Sequence, residues 1–391
     1  MSDLQAPPVS FWRDPRKRAL AFQVVVLASV FAFFAYIFGN TLDNLERRGI
    51  NTGFDFLNDE AGFGVLQSLI PYDETYSFGR TFLVGLLNTI LVSFIGIVFA
   101  TIIGFVVGVA RLSHNWLIRQ LASVYIETFR NIPLLLQIVF WYFAFQNLLP
   151  HPRHSLALGD AVFLNQRGLY LPAPVGETGI GVVLWAIAIA VAAIVFLTRW
   201  AKRRQDATGQ PFPIFWVSLG LFAGLPGLAF LAMGQPLSWD YPALRGFNFR
   251  GGMAMIPELF ALALALAVYT ASFIAEIVRS GIQSVSHGQT EAAHALGIRP
   301  GVTLRQVIIP QAMRVIIPQI TSQYLNLTKN SSLAPAIGYP DLVAVFAGTT
   351  LNQTGQAVEI IAITMSVYLT LSLLISAFMN WYNKKMALVE R

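Results

Sequence analysis

Residues 288–312 read GQTEAAHALGIRPGVTLRQVIIPQA, a polar and partly basic interruption between two apolar stretches, 256–278 and 312–337, each long enough to cross a bilayer. Within it TEAAHAL favours helix with Thr290 as a candidate N-cap, Gly297 supplies a helix end, and Pro300 can open a second helix at its first turn. The local reading is two short helices joined at a glycine and lying outside the bilayer. A segment that merely links two spans is short and has no helical plan of its own, so this one asks for a function.

The solvent follows from composition. Of 391 residues, 55% are hydrophobic and 12% charged, and the mean hydropathy is +0.60, which describes an integral membrane protein. A span needs about 20 mostly apolar residues to cross about 30 Å of hydrocarbon. Candidates are 20–38, 81–110, 121–149, 179–198, 213–232, 256–278, 312–337 and 357–381. Backbone in lipid must satisfy its own hydrogen bonds, and these runs are too long for barrel strands, so all are expected to be helices. The expected fold class is therefore all-α integral membrane, with about eight transmembrane helices. The first run is read as a retained anchor, because it is long for a signal peptide and no small-x-small cleavage site follows it.

A net charge of +6 and a pI near 9.6 raise the question of nucleic acid. With the N-terminus inside, however, the cations gather at cytoplasmic ends of spans: Arg13, Arg16, Lys17 and Arg18, then Arg199, Lys202, Arg203 and Arg204, then Lys384 and Lys385. This is the positive-inside pattern, with both termini cytoplasmic, and its spread over separate juxtamembrane sites argues against nucleic acid. The opposite side receives three sizeable connections, 39–80, 150–178 and 233–255, whose Gly, Pro and aromatic content predicts folded segments. Cysteine is absent, so disulfides and thiolate chemistry are excluded. No cofactor or metal site is expected.

Polar groups deep in spans carry the next expectations. Ser93, Gln137, Tyr269, Thr270, Gln323 and Asn326 fall near the midplane, where each serves either a substrate pathway or a hydrogen bond between helices. Lys329, followed by Asn330, Ser331 and Ser332, has no sequence-local acid; it either attracts a carboxylate substrate or stabilises a broken helix. Glu127 and Arg130, just before a kink expected at Pro133, and Glu276 and Arg279 each stand three apart on one helical face. Structural ion pairs or gating charges are the two readings. GFVVG, from Gly104 to Gly108, has the small-xxx-small spacing of a close helix contact, a spacing that apolar spans also carry without one.

Glu291, Ala292 and Ala293, three residues, Gly297, and then VIIP ending at Pro310 resemble the EAA loop of bacterial ABC importer permeases, with Val307 and Ile309 as conservative departures. YIETFRNIPLLLQ at 125–137, YTASFIAEIVRSGI at 269–282 and LTKNSSLAPAIGYPDL at 327–342 are similar to the polar amino-acid branch, although Asn131 stands where many members have glycine. NTGFDFLNDEAGF at 51–63 and QSLIPY at 67–72 resemble the general L-amino-acid permease subfamily. The likeness covers most of the chain outside 150–255.

The resemblance implies a five-helix MetI-like core from the second, third, sixth, seventh and eighth spans. It divides the chain into 1–80 (tail, first helix and periplasmic segment), 81–149 (first part of the core), 150–255 (an insertion with two transmembrane helices) and 256–391 (second part, with the coupling loop). It further implies that Glu291, Ala292, Ala293, Gly297 and Pro310 couple to an ABC ATPase dimer. The other implied partners are a periplasmic amino-acid-binding protein and a second permease, a related chain or a second copy. The place is the bacterial inner membrane, and the implied substrates are glutamate, glutamine, aspartate and asparagine. No GxxxxGK[ST] occurs, so ATP would be hydrolysed by the partner and this chain would not be an enzyme. The competing classes fare less well. His114, His151, His154, His287 and His294 are scattered without HExxH or GxSxG, against a membrane enzyme. A secondary transporter without an ATPase leaves 288–311 unexplained.

Overall fold

The computed structural model describes residues 14–47, 49 and 52–386; Arg13, Asn51 and the rest of the N-terminal tail lie outside the described residues. In chain order the helices and strands begin with α1 (Pro15–Arg47), α2 (Phe78–Ala110), α3 (Trp116–Asn131) and α4 (Leu134–Leu148). Four short strands follow, β1 (Leu156–Leu158), β2 (Val162–Asn165), β3 (Gly168–Leu171) and β4 (Ala173–Gly176), and then α5 (Ile180–Thr208) and α6 (Ile214–Ala232). Next come β5 (Leu237–Asp240), β6 (Ala243–Arg245), β7 (Asn248–Arg250) and β8 (Met253–Met255). The chain closes with α7 (Pro257–Gln283), α8 (His287–Ala295), α9 (Pro300–Thr303), α10 (Ile309–Asn330), α11 (Leu351–Thr354) and α12 (Ala357–Met386).

Among the described residues six helices are long and apolar enough to cross a membrane, namely α1, α2, α5, α6, α7 and α12. The stretch expected as one span at 121–149 is two helices, α3 and α4, bent by 107° at a short break; counted as a single broken span it makes seven. The break is at Pro133, whose ring removes a backbone donor and pushes Ile132 to extended geometry, φ −94° and ψ 126°. The stretch expected at 312–337 forms α10, but Gln311, Arg314, Gln319, Gln323, Asn326 and Lys329 make it too polar to meet the same criterion.

The chain forms two compact units, with the division inside α2 and α7. One comprises the residues up to Phe94 and from Ser280 onward. Its core is aromatic: Phe56 stacks on Phe346 at 6.3 Å, Phe82 meets Phe346 edge-on at 5.2 Å, and Phe78, Leu342 and Ile360 close around them. Residues 52–77 fold onto this core. Asp55–Asn58 make a 3-10 turn, Glu60 bridges to Ser77, and the Gly53 N–H donates to Glu359 Oε1 at 2.8 Å. At Gly85 a β-carbon would stand 2.9 Å from the Leu342 backbone, so the close approach of 341–342 to α2 requires glycine.

The other unit is Ile95–Arg279. The GFVVG pattern is a true close contact: a β-carbon on Gly104 would lie 2.6 Å from the Ile274 side chain, and one on Gly108 2.7 Å from the Ala275 carbonyl. Tyr125 donates its hydroxyl to the Val268 carbonyl at 2.7 Å and fastens α3 to α7. The connections on either side of the α5–α6 hairpin close on each other. β1, β2, β3 and β8 form one antiparallel sheet and β4 pairs with β5, so strands from both connections share ladders. Phe249 packs on Phe163 at 4.5 Å and on Tyr170 at 5.0 Å beneath them. The two folded connections expected at 150–178 and 233–255 are thus a small β cap carrying a helical hairpin.

Candidate functional site

The segment 287–310 belongs to the first unit. α8 begins at His287 after Ser286, so Thr290 lies inside the helix and is not its cap. The end is a Schellman turn: the Ile298 N–H donates to the Ala293 carbonyl at 3.1 Å and the Gly297 N–H to the His294 carbonyl at 2.9 Å. Gly297 has φ +72°, the left-handed conformation the turn requires. Pro300 then stands at the first turn of α9, as the sequence suggests. The second helix is not short, however. α9 passes through a π-helical segment, Leu304–Ile308, into α10 with αR backbone at both joints, and Pro310 sits in the first turn of α10.

The two faces of α8 differ. Gln311 donates to Gln289 Oε1 at 3.1 Å, and Ala293 is buried. Of the two alanines of the EAA stretch, Ala292 therefore faces outward and Ala293 faces the protein. Outward stand Glu291, Ala292 and Leu296, the last 78% exposed. Glu291 Oε1 lies 3.0 Å from His287 Nδ1, one turn back on the same face.

The polar groups expected at the midplane separate between the units. In the first, Ser93 is buried with its hydroxyl unpartnered, Gln323 is half-buried, and Asn326 and Lys329 are exposed. Lys329 ends α10 and forms no ion pair among the described residues. In the second, Thr270 is buried and Tyr269 is half-buried against Phe273. Gln137 has a structural task. Its amide donates to the Phe129 and Ile132 carbonyls, both at 3.0 Å, replacing partners lost at the Pro133 break, while its Oε1 stays buried and unpartnered. Three cavities, of about 530, 370 and 190 Å³, are lined by none of these residues.

Of the two charged pairs expected from sequence, Glu276–Arg279 forms and Glu127–Arg130 does not. Glu127 does not bind Arg130; it lies 3.4 Å from Arg111, while the Arg130 guanidinium covers the Phe273 ring at 5.2 Å. Glu276 accepts from Arg279, Nε to Oε1 at 3.1 Å, and also from Arg111. Sequence reasoning missed Arg111 because its partners stand on other helices.

It also missed a buried polar cluster in the first unit. Asn88 donates to the Gln67 and Pro340 carbonyls, each at 2.9 Å, and its own carbonyl accepts from the Tyr339 hydroxyl at 3.0 Å. Thr89 Oγ1 accepts from the Leu342 N–H at 3.0 Å. Asp341 caps the π-helical Val343–Thr350 segment through the Ala344 N–H at 2.8 Å and accepts from the Tyr368 hydroxyl at 3.3 Å. Burial pushes its carboxyl up to about 6, against these hydrogen bonds, which favour the charged form.

The family described as binding-protein-dependent transport system inner membrane component matches residues 207–388. A chain of Escherichia coli (strain K12), provisionally named an amino-acid ABC transporter permease, is 56% identical over 97% of this chain and 96% of its own. The general L-amino acid transport system permease of Rhizobium johnstonii is 52% identical, over 97% and 94%. The glutamate/glutamine/aspartate/asparagine transport system permease of Rhodobacter capsulatus is 44% identical, over 97% and 96%. A solved amino acid ABC transporter chain covers 79% of this chain and 95% of its own at 20% identity, with a TM-score of 0.46, too weak a likeness to bear on detail. The chain belongs to the family of ABC amino-acid importer permeases. It is a multi-pass membrane permease of an ABC importer; membership of the family implies the inner membrane and partners that include an ATPase, a binding protein and a second permease, and ATP hydrolysis belongs to the separate subunit.

Proposed function

We propose that α8 and the Gly297 turn are where the ATPase drives this permease. The observation that carries the reading is the two-faced helix: one side tied to α10 through Gln289 and Gln311, the other presenting Glu291, Ala292 and Leu296. Ala292 leaves room for a cleft wall, Glu291 offers charge to a basic partner, Ala293 anchors the helix, Gly297 sets its angle, and Pro310 starts α10. Glu291→Lys should leave the importer in the membrane and still able to bind substrate, yet remove substrate-stimulated ATP hydrolysis. Undiminished stimulation would refute the assignment.

Both termini are placed in the cytoplasm, on the asymmetry of juxtamembrane cations. The substrates are acidic amino acids and their amides, as the name of the Rhodobacter relative suggests, and the chain supplies half of the pathway beside a related, different permease. Ser93, Gln137, Tyr269, Thr270, Gln323, Asn326 and Lys329 remain candidates for that pathway. Glu127, Arg130, Glu276 and Arg279 are assigned as structural charges. Segment 1–80, the two core parts at 81–149 and 256–391, and the insertion at 150–255 stand as the division of labour. Residues 52–77 and the β cap are assigned to docking of the periplasmic binding protein. The cavity of about 370 Å³ in the cap, lined by His151, Arg153, His154, Arg167 and Phe247, contains cations and no acid and suits acidic side chains on that partner. Uptake of labelled glutamate in competition with other amino acids tests the substrate class.

A further inference from the structure

The α5–α6 hairpin carries a cluster that lies outside the residues proposed above for coupling and for the pathway. α5 has 29 residues, about 43 Å at 1.5 Å per residue, against about 30 Å of hydrocarbon. Its apolar run from Ile180 to Thr198 fills the hydrocarbon, which puts Arg199 at the edge and Lys202, Arg203 and Arg204 at headgroup depth. α6 re-enters with Phe215 and Trp216, 66% and 70% exposed, at the position of an aromatic belt.

The cations are organised and uncompensated. The Arg204 guanidinium lies 5.6 Å from the Trp200 ring and 6.0 Å from the Phe212 ring, and these rings meet edge-on at 5.4 Å. Gly209, at φ +68°, turns the chain so that Phe212 comes back over α5. A guanidinium held by its faces keeps its in-plane N–H donors available for two oxygens of one anion. None of the four cations has an ion pair among the described residues, and Asp206 is the single acid between 178 and 239. A signal for topology alone requires positive charge, not a stacked arginine.

We propose that the α5–α6 turn is a binding site for the phosphate of an anionic phospholipid, with Arg204 as the oriented fork and Arg199, Lys202 and Arg203 as the surrounding positive field. The lipid is favoured over free phosphate because the flanking Trp200, Phe215 and Trp216 sit where acyl chains begin.

The test uses the whole importer in nanodiscs of phosphatidylcholine with a minor fraction of phosphatidylglycerol, and native mass spectrometry of the lipid retained. Lys202→Gln/Arg203→Gln/Arg204→Gln should retain phosphatidylglycerol at least about ten-fold less than the unaltered importer. Arg204→Lys preserves the charge that directs insertion and should still lower retention, whereas Lys384→Gln/Lys385→Gln at the end of α12 should not. Inorganic phosphate should fail to displace the lipid. Equal retention in all variants, equal loss in the α12 control, displacement by inorganic phosphate, or loss of the ATPase subunit with lipid retained would each overturn the proposal.

Discussion

Arg111, the first residue beyond α2, donates to Glu276 in the last third of α7, and the same carboxylate accepts from Arg279 in its own helix. Glu276 therefore joins two helices and keeps a partner if one arginine is removed. Arg111→Gln should cost about 1 to 2 kcal/mol in thermal or denaturant stability, less than orphaning a buried charge. A double-mutant cycle with Glu276→Gln should give a coupling above about 0.5 kcal/mol. Strict additivity would mean the contact does not contribute.

The turn after α8 makes a graded prediction. Nothing lies within 4 Å of a β-carbon built on Gly297, so substitution there meets backbone strain, not a clash. Gly297→Ala should cost about 1 to 2 kcal/mol locally, Gly297→Asn less because asparagine tolerates the left-handed region, and Gly297→Val most. Substrate-stimulated ATP hydrolysis should fall in the order Gly, Asn, Ala, Val. A flat series would show that the turn does not set coupling.

Lys329, exposed in the last turn of α10, is a candidate for the selectivity proposed above. If it meets the substrate's side-chain carboxylate, Lys329→Met should weaken glutamate and aspartate uptake about ten-fold more than glutamine and asparagine uptake. Equal losses for all four would reassign it to the shared α-carboxylate or to structure, and unchanged uptake would remove it from the pathway.

Asp341 gives a pH dependence. Its carboxyl is raised from the usual 3.8 to about 6, so between those values the folded protein holds a proton that the unfolded chain has released. Stability from this group is fullest at the acid end of that window and declines as pH rises through about 6. Melting temperature should rise for the unaltered protein as pH falls from about 7 to about 5, and the slope should be shallower in Asp341→Asn. Identical slopes would place the titration elsewhere.

The parts of this molecule that sequence reveals are those built from neighbours along the chain. Hydropathy marks α1, α2, α5, α6, α7 and α12, glycine and proline mark the joint at 297–300, and Glu276 with Arg279 needs only one turn of helix. What stays hidden is set by contacts between helices. Glu127 has Arg130 on its own face yet pairs with Arg111, because long side chains reach across a helix gap. The two carbonyls that the Gln137 amide binds are brought to it only by the bend at Pro133, which periodicity does not show. The β cap escapes notice because its strands are three or four residues long, too short for an alternating pattern to be read. Asn88, Thr89 and Asp341 are ordinary residues until the chain around Tyr339 folds against α2.

The absence of a loop between α9 and α10 has a mechanical side. From Pro300 through the π-helical turn, along α10 and into the 3-10 turn that ends at Ile337, the backbone keeps right-handed helical geometry, and only Gly338 breaks it. Such a strut is stiff along its axis, and its compliant points are the proline at 318 and the π turn, where the regular ladder is interrupted. A displacement at Pro300 is therefore carried toward Lys329 by continuous helix, which can bend at the π turn and at Pro318, instead of being absorbed by slack chain.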